Sequence, residues 1–448
     1  MKKTTLFSLF FLLFLQISAQ ENIKKCITTS IVEKELENNP EYKEIRQNIL
    51  NNQNENTENI YKNSAETIIP VVIHVIHRDQ DNIGSNTNIS NLQIEDQLRI
   101  LNEDFSKTNS EFPSPPRSTF LNSAGNPNMK FCLATTDPNG NPTTGITRTA
   151  TSRTSWDADD DDEKNYMKRS SQGGSDNWDP LRYMNIWVCN LSNSSGGGQT
   201  LGYAYLPGLQ NSNQQSWKDG LVVDYKYFGT IGNASSSSDG RTATHEIGHY
   251  FGLSHTFCES GGCCDNDNNS FFGFSVNDTP ATDDIYFGGV NSNTNNNSCN
   301  DLNYGFSSDL LDMDENYMSY SRDTWMFSNG QSSAMNDVLS APTWQTGRIE
   351  LKNSTVTVNC TGNIGTGIND SQLKFINVYP NPTTGKLTIT SADIINKISI
   401  TNIIGENILI PGNLTSKTID ISSLENGIYF LNIDYDKGIF IQKIILTK

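Results

Sequence analysis

Beyond its N-terminal leader, the chain has no apolar run approaching the roughly 18 residues a membrane-crossing helix needs, so no transmembrane helix is expected in its 448 residues. Basic residues are also few. Lys and Arg number 32 against 50 Asp and Glu, for a formal net charge of −18. That deficit argues against a nucleic-acid partner, which calls for a basic face. It fits solubility outside the cell and leaves room for calcium sites. Histidine is scarce, with five in the whole chain, so where it clusters is informative. Three of the five, His245, His249 and His255, fall within eleven residues.

Those eleven residues read HEIGHYFGLSH, an H-E-x-x-H-x-x-G-x-x-H pattern. On a helix, His245 and His249 stand one turn apart on one face, so both rings reach one metal ion. Glu246 lies beside them, where it can take a proton from water that the metal has acidified. Gly252 can adopt φ > 0 and end the helix in a sharp turn, which returns His255 as a third ligand. Three protein ligands with one open position mark a catalytic zinc site, whereas a structural site is closed by four. His74 and His77 lie in a strand-like run and read as histidines hydrogen-bonded within a sheet.

The pattern is the metzincin signature, whose second half is a downstream methionine turn. Asn316-Tyr317-Met318-Ser319-Tyr320 supplies it, with Met318 63 residues after His255. The resemblance implies that Met318 packs beneath the histidines and that Tyr320 lies near the metal and hydrogen-bonds the reacting carbonyl.

Residues 1–19 carry Lys2 and Lys3, an apolar stretch from Leu6 to Leu15 and the small-residue end Ile17-Ser18-Ala19, the form of a secretory signal peptide. Residues 20–65 are polar and asparagine-rich, with little to build a core, and read as a propeptide. Residues 66–350 read as the catalytic domain: an α/β (α+β) metzincin-type unit with a mixed sheet, a zinc helix over 241–253 and a loop-rich C-terminal subdomain. Strands are expected at 68–77, 129–134 and 184–189, with an edge strand at 220–225. A helix capped by Ser90 is expected over 89–102. Residues 351–373 read as a linker, and the alternating runs of 374–448 as a small all-β sandwich.

The eight cysteines of an exported chain can form disulfides. Cys258, Cys263, Cys264 and Cys299 cluster in a loop rich in Asn, Asp and Gly that lacks hydrophobic periodicity, and two disulfides there would staple it. Cys263 and Cys264 are adjacent, so each bonds elsewhere, in a pairing left open. The run Trp156–Glu163, with four consecutive aspartates, reads as a solvated acidic loop.

From Ile68 to about Gln345 the chain resembles the smaller bacterial pappalysins, on HEIGHYFGLSHTF, Asp278-Thr279-Pro280, NYMSY and Phe327-Ser328-Asn329-Gly330-Gln331. The resemblance implies a secreted zinc endopeptidase, made as a zymogen, with structural calcium and with proteins or peptides as substrates. Asp278, Thr279 and Asp265 are the candidate calcium ligands, with Asp267 a substitute. Phe274 stands where relatives carry an aspartate, which counts against that ion. Cys26, in Lys25-Cys26-Ile27-Thr28, resembles a propeptide cysteine whose thiolate fills the open zinc position; a disulfide to Cys360 or another cysteine is the other reading. Residues 375–448, with YPNPTTG and NGIYFLNI, resemble the type IX secretion sorting domain, which implies that machinery as a partner. A silent surface-binding module is the competing function class, and the protein is read as a monomer.

Overall fold

The computed structural model describes residues 26–53, 66–195, 198–212, 214–259, 262–264, 276–283, 285–342, 347–357, 376–391, 395–402, 406–409, 418–435 and 438–448. The signal-peptide reading and most of the linker lie outside them. The chain divides into two compact units, one ending at Cys360 and one beginning at Thr361.

The first unit begins with helices α1 (Thr28–Asn38) and α2 (Pro40–Gln53). Its remaining elements are β1 (Thr67–Arg78), α3 (Asn91–Asp104), β2 (Met129–Leu133), β3 (Ile146–Thr151), the short β4 (Trp156–Asp157), β5 (Met184–Cys189), β6 (Leu191–Ser192), β7 (Gly202–Ala204), β8 (Leu221–Asp224), α4 (Arg241–Tyr250), α5 (Asn329–Ser340) and α6 (Ile349–Lys352). The main sheet runs β2-β1-β5-β8-β7, with β3 also paired to β1. All its pairings are parallel except that of β7, which lies antiparallel to β8 at the edge. β1 is buried almost throughout, as a strand covered on both faces must be.

Alternation along the strands assigns the two faces. Ile69, Val71, Ile73 and Val75 join Ile186 and Val223 in a core completed by Ile94, Leu98 and Leu101 of α3, Ala243 and Ile247 of α4, and Met335 and Val338 of α5. Ile76, Trp187 and Val222 point the other way. Ser90 caps α3, its hydroxyl accepting from Gln93 N at 3.1 Å. Both remaining histidines are tied into the sheet region. His74 sits 2.8 Å from Thr147 Oγ1 and 3.0 Å from Asn185 Oδ1, stacked on Trp187. His77 Nδ1 donates to Arg78 O at 2.9 Å.

Three expectations need correction. The segment 220–225 is not an edge. β8 lies between β5 and β7, and the three-residue edge strand β7 is too short to show periodicity. The N-terminal segment does contribute to a core. Ile27, Ile31, Val32 and Tyr42 are buried against Tyr203, Tyr205, Leu206 and Leu209 on the second face of the sheet; a few apolar side chains from two short helices suffice when a surface waits for them. The first unit also packs beyond residue 350. Val356 is buried with Val72, Ala134 and Tyr183, and its carbonyl accepts from Thr135 N and Thr136 N.

The second unit pairs a three-stranded sheet, β13 (Thr418–Asp420), β10 (Lys386–Ser391) and β9 (Ile376–Tyr379), with a four-stranded one, β12 (Asn407–Leu409), β11 (Ile395–Thr401), β14 (Gly427–Tyr435) and β15 (Gly438–Leu446). All pairings are antiparallel. Leu387, Ile389, Ile398, Ile400, Leu431, Ile433 and Ile444 fill the space between the sheets, as alternating runs do in a sandwich.

Candidate metal centre

α4 buries Ala243, Ile247 and Tyr250 in the main core, which turns His245 and His249 to the opposite side one turn apart. The helix stops where its glycine allows. Gly252 takes φ +96°, its N–H donates to His249 O at 2.8 Å, and Leu253 N donates to Gly248 O at 3.0 Å. These are the paired bonds of a Schellman ending. The chain then doubles back, and His255 Nε2 comes within 3.1 Å of both His245 Nε2 and His249 Nε2.

Each ring is held by its other nitrogen. His245 Nδ1 lies 2.7 Å from Tyr317 O and His249 Nδ1 lies 2.8 Å from Leu253 O, while His255 Nδ1 pairs with Glu259. Carbonyls and carboxylates only accept, so Nδ1 carries the hydrogen in each ring and Nε2 presents its lone pair. Burial lowers the pKa of His249 to about 3, with His255 adding to the effect, so its lone pair is kept free. Cys26 Sγ joins the cluster, and all four donor atoms lie within 4.8 Å of one another. Among the described residues this is the only group of three or more histidine, cysteine or carboxylate donors drawn so close. Cys26 is a free, buried thiol, so the alternative that it forms a disulfide is not what is found.

Glu246 is buried beside this cluster. Its Oε2 accepts from Thr28 Oγ1 at 3.2 Å and from Cys26 Sγ at 3.4 Å, while Oε1 has no hydrogen-bond partner among the described residues. Burial raises its pKa to about 8, against the pull of those two donors. Burial, followed by the charge of Glu246, likewise pushes the Cys26 thiol up. Gly202 of β7 makes room for this carboxylate, since a Cβ there would lie 3.0 Å from Glu246 Cγ. Tyr320 packs on His255 and Phe257, and its hydroxyl donates to Cys26 O at 3.1 Å. Met318 is fully buried under α4, where a Cβ on Gly248 would stand 2.3 Å from its sulfur.

Other candidates fall elsewhere. Asp278 is occupied at the start of α5, accepting from Ser328 Oγ at 2.6 Å and Gly330 N at 2.8 Å. Thr279 is buried next to it. Asp265 and Asp267 lie outside the described residues. The cysteine-rich loop is stapled by Cys258–Cys263 and Cys264–Cys299. The acidic run is exposed at Asp160, Asp161 and Asp162, as a solvated loop is, and Asp161 pairs there with Lys34 of α1 and with Lys164. Glu259 went unnoticed in the sequence. It follows His255 by four residues in a stretch that is not helical, so no spacing rule points to it.

Comparison with known proteins places these features. A peptidase family described as pregnancy-associated plasma protein-A matches residues 168–340, and a secretion system C-terminal sorting domain matches residues 377–447. Mature mirolysin of Tannerella forsythia in complex with a cleaved peptide is 36% identical, with a TM-score of 0.53, over 65% of this chain and 99% of that one. A promirolysin variant of the same organism is 34% identical, with a TM-score of 0.58, over 74% and 97%. An extracellular metalloprotease of Neurospora crassa is 38% identical over 141 residues, which is 31% of this chain and 43% of the relative's own length. One from Arthroderma gypseum is 27% identical over 285 residues, 63% of this chain and 76% of its own.

Proposed function

Because this chain belongs to the pappalysin family of metallopeptidases, we propose that it is a secreted, zinc-dependent endopeptidase held latent by its own residues 26–53. The observation that carries this reading is the convergence of three Nε2 lone pairs, each with its Nδ1–H anchored, next to the carboxylate of Glu246. The His255 Nε2 lone pair, 3.1 Å from those of both His245 and His249, is repelled by them unless a cation sits among the three. The spacing is close to the roughly 3.3 Å edge of a tetrahedron with metal–nitrogen bonds of about 2.0–2.1 Å. All-imidazole donors with room for one more ligand suit zinc.

His245, His249 and His255 would hold the ion. Bound there, zinc acidifies water and polarises a carbonyl. The other steps belong to side chains. Glu246, one residue from the first ligand and buried, takes the proton from the attacking water and carries it to the leaving amine. The Tyr320 hydroxyl, already donating to a peptide carbonyl in the latent state, donates to the carbonyl oxygen as its charge develops. The edge of β7 offers backbone groups to an extended peptide.

Latency follows from the same contacts. Cys26 Sγ would supply the fourth donor to an ion held by the imidazoles, Cys26 O takes the Tyr320 hydroxyl, and Thr28 Oγ1 donates to Glu246 while accepting from Ala204 N at 2.9 Å. Cys26 also bridges to Gly202 on the edge strand. The longer match to promirolysin than to mature mirolysin supports a propeptide role for this segment. Export through the sorting domain at the C-terminus accords with extracellular protein substrates.

Glu246→Ala tests the scheme. The variant should retain zinc, yet cut no peptides in a library digest read by mass spectrometry where the activated wild type does, a loss of at least about 10²-fold. Cleavage by Glu246→Ala at wild-type rates would refute the mechanism.

A further inference from the structure

Below the metal centre lies a second polar cluster that the hydrolytic scheme does not use. Asp104, the last residue of α3, is buried. Its Oδ2 accepts from Thr244 Oγ1 at 2.7 Å and its Oδ1 from the Tyr317 hydroxyl at 2.7 Å. The Arg241 guanidinium lies 3.5 Å from Asp104 Oδ1 and 2.8 Å from Glu111, with the Tyr317 ring beneath it. A buried carboxylate that accepts two hydroxyl hydrogens and faces one guanidinium is a satisfied group. What it joins is informative. Thr244 immediately precedes His245 on α4. Tyr317 immediately precedes Met318, and its carbonyl holds His245 Nδ1 at 2.7 Å. Tyr317 N in turn donates to Met326 O at 2.8 Å, so the carbonyl's position is set by the tyrosine side chain at one end and the backbone at the other.

We propose that Asp104 is a positioning residue for the metal centre: it ties the helix that carries His245 to the turn whose carbonyl orients that imidazole. It reaches the ion only through Thr244 and Tyr317. A ligand's outer partner fixes the ring's tautomer and direction, and Asp104 fixes that partner from two sides. The inference rests on the zinc-site reading above.

The test uses the full-length chain and two variants, Asp104→Asn and Tyr317→Phe, together with their combination. Tyr317→Phe keeps the buried ring and the Asp104–Thr244 bond, and so guards against simple misfolding of the aspartate variant. Zinc affinity is measured by competition with a chromogenic chelator, and the ligand field from the visible spectrum of the cobalt(II)-loaded protein. Each single variant should bind zinc roughly 10–100-fold more weakly and shift the cobalt bands. The double variant should be no weaker than the worse single one, because both changes break the same link. Glu246→Ala, run alongside, should keep wild-type affinity. Wild-type affinity and an unchanged cobalt spectrum in both single variants would overturn the positioning role while leaving the zinc site standing. Additive losses would do the same, by showing two independent effects. A wild-type chain that binds neither zinc nor cobalt would overturn the parent reading together with this one.

Discussion

At the residue scale, the three imidazoles are oriented by three different kinds of acceptor. His245 uses a carbonyl from the methionine turn, His249 one from its own helix ending, and His255 the carboxylate of Glu259. Only the last is itself a side chain and can be replaced directly. Burial opposes ionisation of Glu259, but its pairing with His255 and hydrogen bonds from His255 and Thr29 outweigh it and hold the carboxyl well below the usual carboxylate range. An ionised partner makes the imidazole a better donor to a metal. Glu259→Gln should therefore weaken zinc binding roughly 10–100-fold with little change in fold, measurable by the rate of zinc loss to a chelator. Unchanged retention would mean that the carboxylate serves only the latent segment, through Thr29.

At the scale of elements, the ending of α4 decides whether the third histidine arrives. Gly252→Ala would force a Cβ into a left-handed backbone, at about 1–2 kcal/mol. The variant should melt lower and bind zinc more weakly, since the turn that returns His255 is the part that relaxes. The end of β8 shows the opposite use of a polar group. Asp224 accepts from Leu191 N at 2.8 Å and Lys226 N at 2.9 Å, yet burial raises its pKa from 3.8 to about 6 against those bonds and the Lys226 charge. Its folded pKa lies above its unfolded one, so between about pH 4 and 6 the folded state binds the extra proton. The contribution of Asp224 to stability is therefore greatest below that window and falls as pH rises through it. Relative to wild type, Asp224→Asn should gain stability from pH 4 to pH 7 by up to about 3 kcal/mol, read from paired denaturation curves. A constant offset across that range would show that the group does not titrate there.

At the scale of the molecule, the latent segment is held in two separate ways. Near the three histidines it uses Cys26, Thr28 and Thr29; farther along, Ile31 and Val32 are buried on the second face of the sheet with Tyr42 beside them, the two aliphatic side chains each worth about 1.5–3 kcal/mol. The exposed ion pair from Lys34 to Asp161 adds less. Cys26→Ala should leave the segment seated and as resistant to limited proteolysis as in the wild type. Val32→Asp, which buries an unpaired charge, should release it and raise peptidase activity of the full-length chain without any change at the metal. Loss of protection in Cys26→Ala would show that the sulfur alone holds the segment.

What the amino-acid sequence determined by itself is local. The spacing of His245, His249 and His255, the glycine at 252, the Ser90 cap and the alternating runs of the second unit are short-range patterns, and periodicity and backbone sterics translate them directly into helices, turns and strands. The methionine turn was legible because its motif is short and contiguous. Tertiary structure alone decided what depends on residues far apart in the chain. The pairing within the cysteine-rich loop, the interior place of β8, the docking of α1 and α2, the return of Glu259 to His255 and the link from Asp104 to Thr244 and Tyr317 all join groups through packing. No spacing rule encodes such contacts, because their geometry is set by the sheet and the helices on its two faces and not by the residues that finally meet.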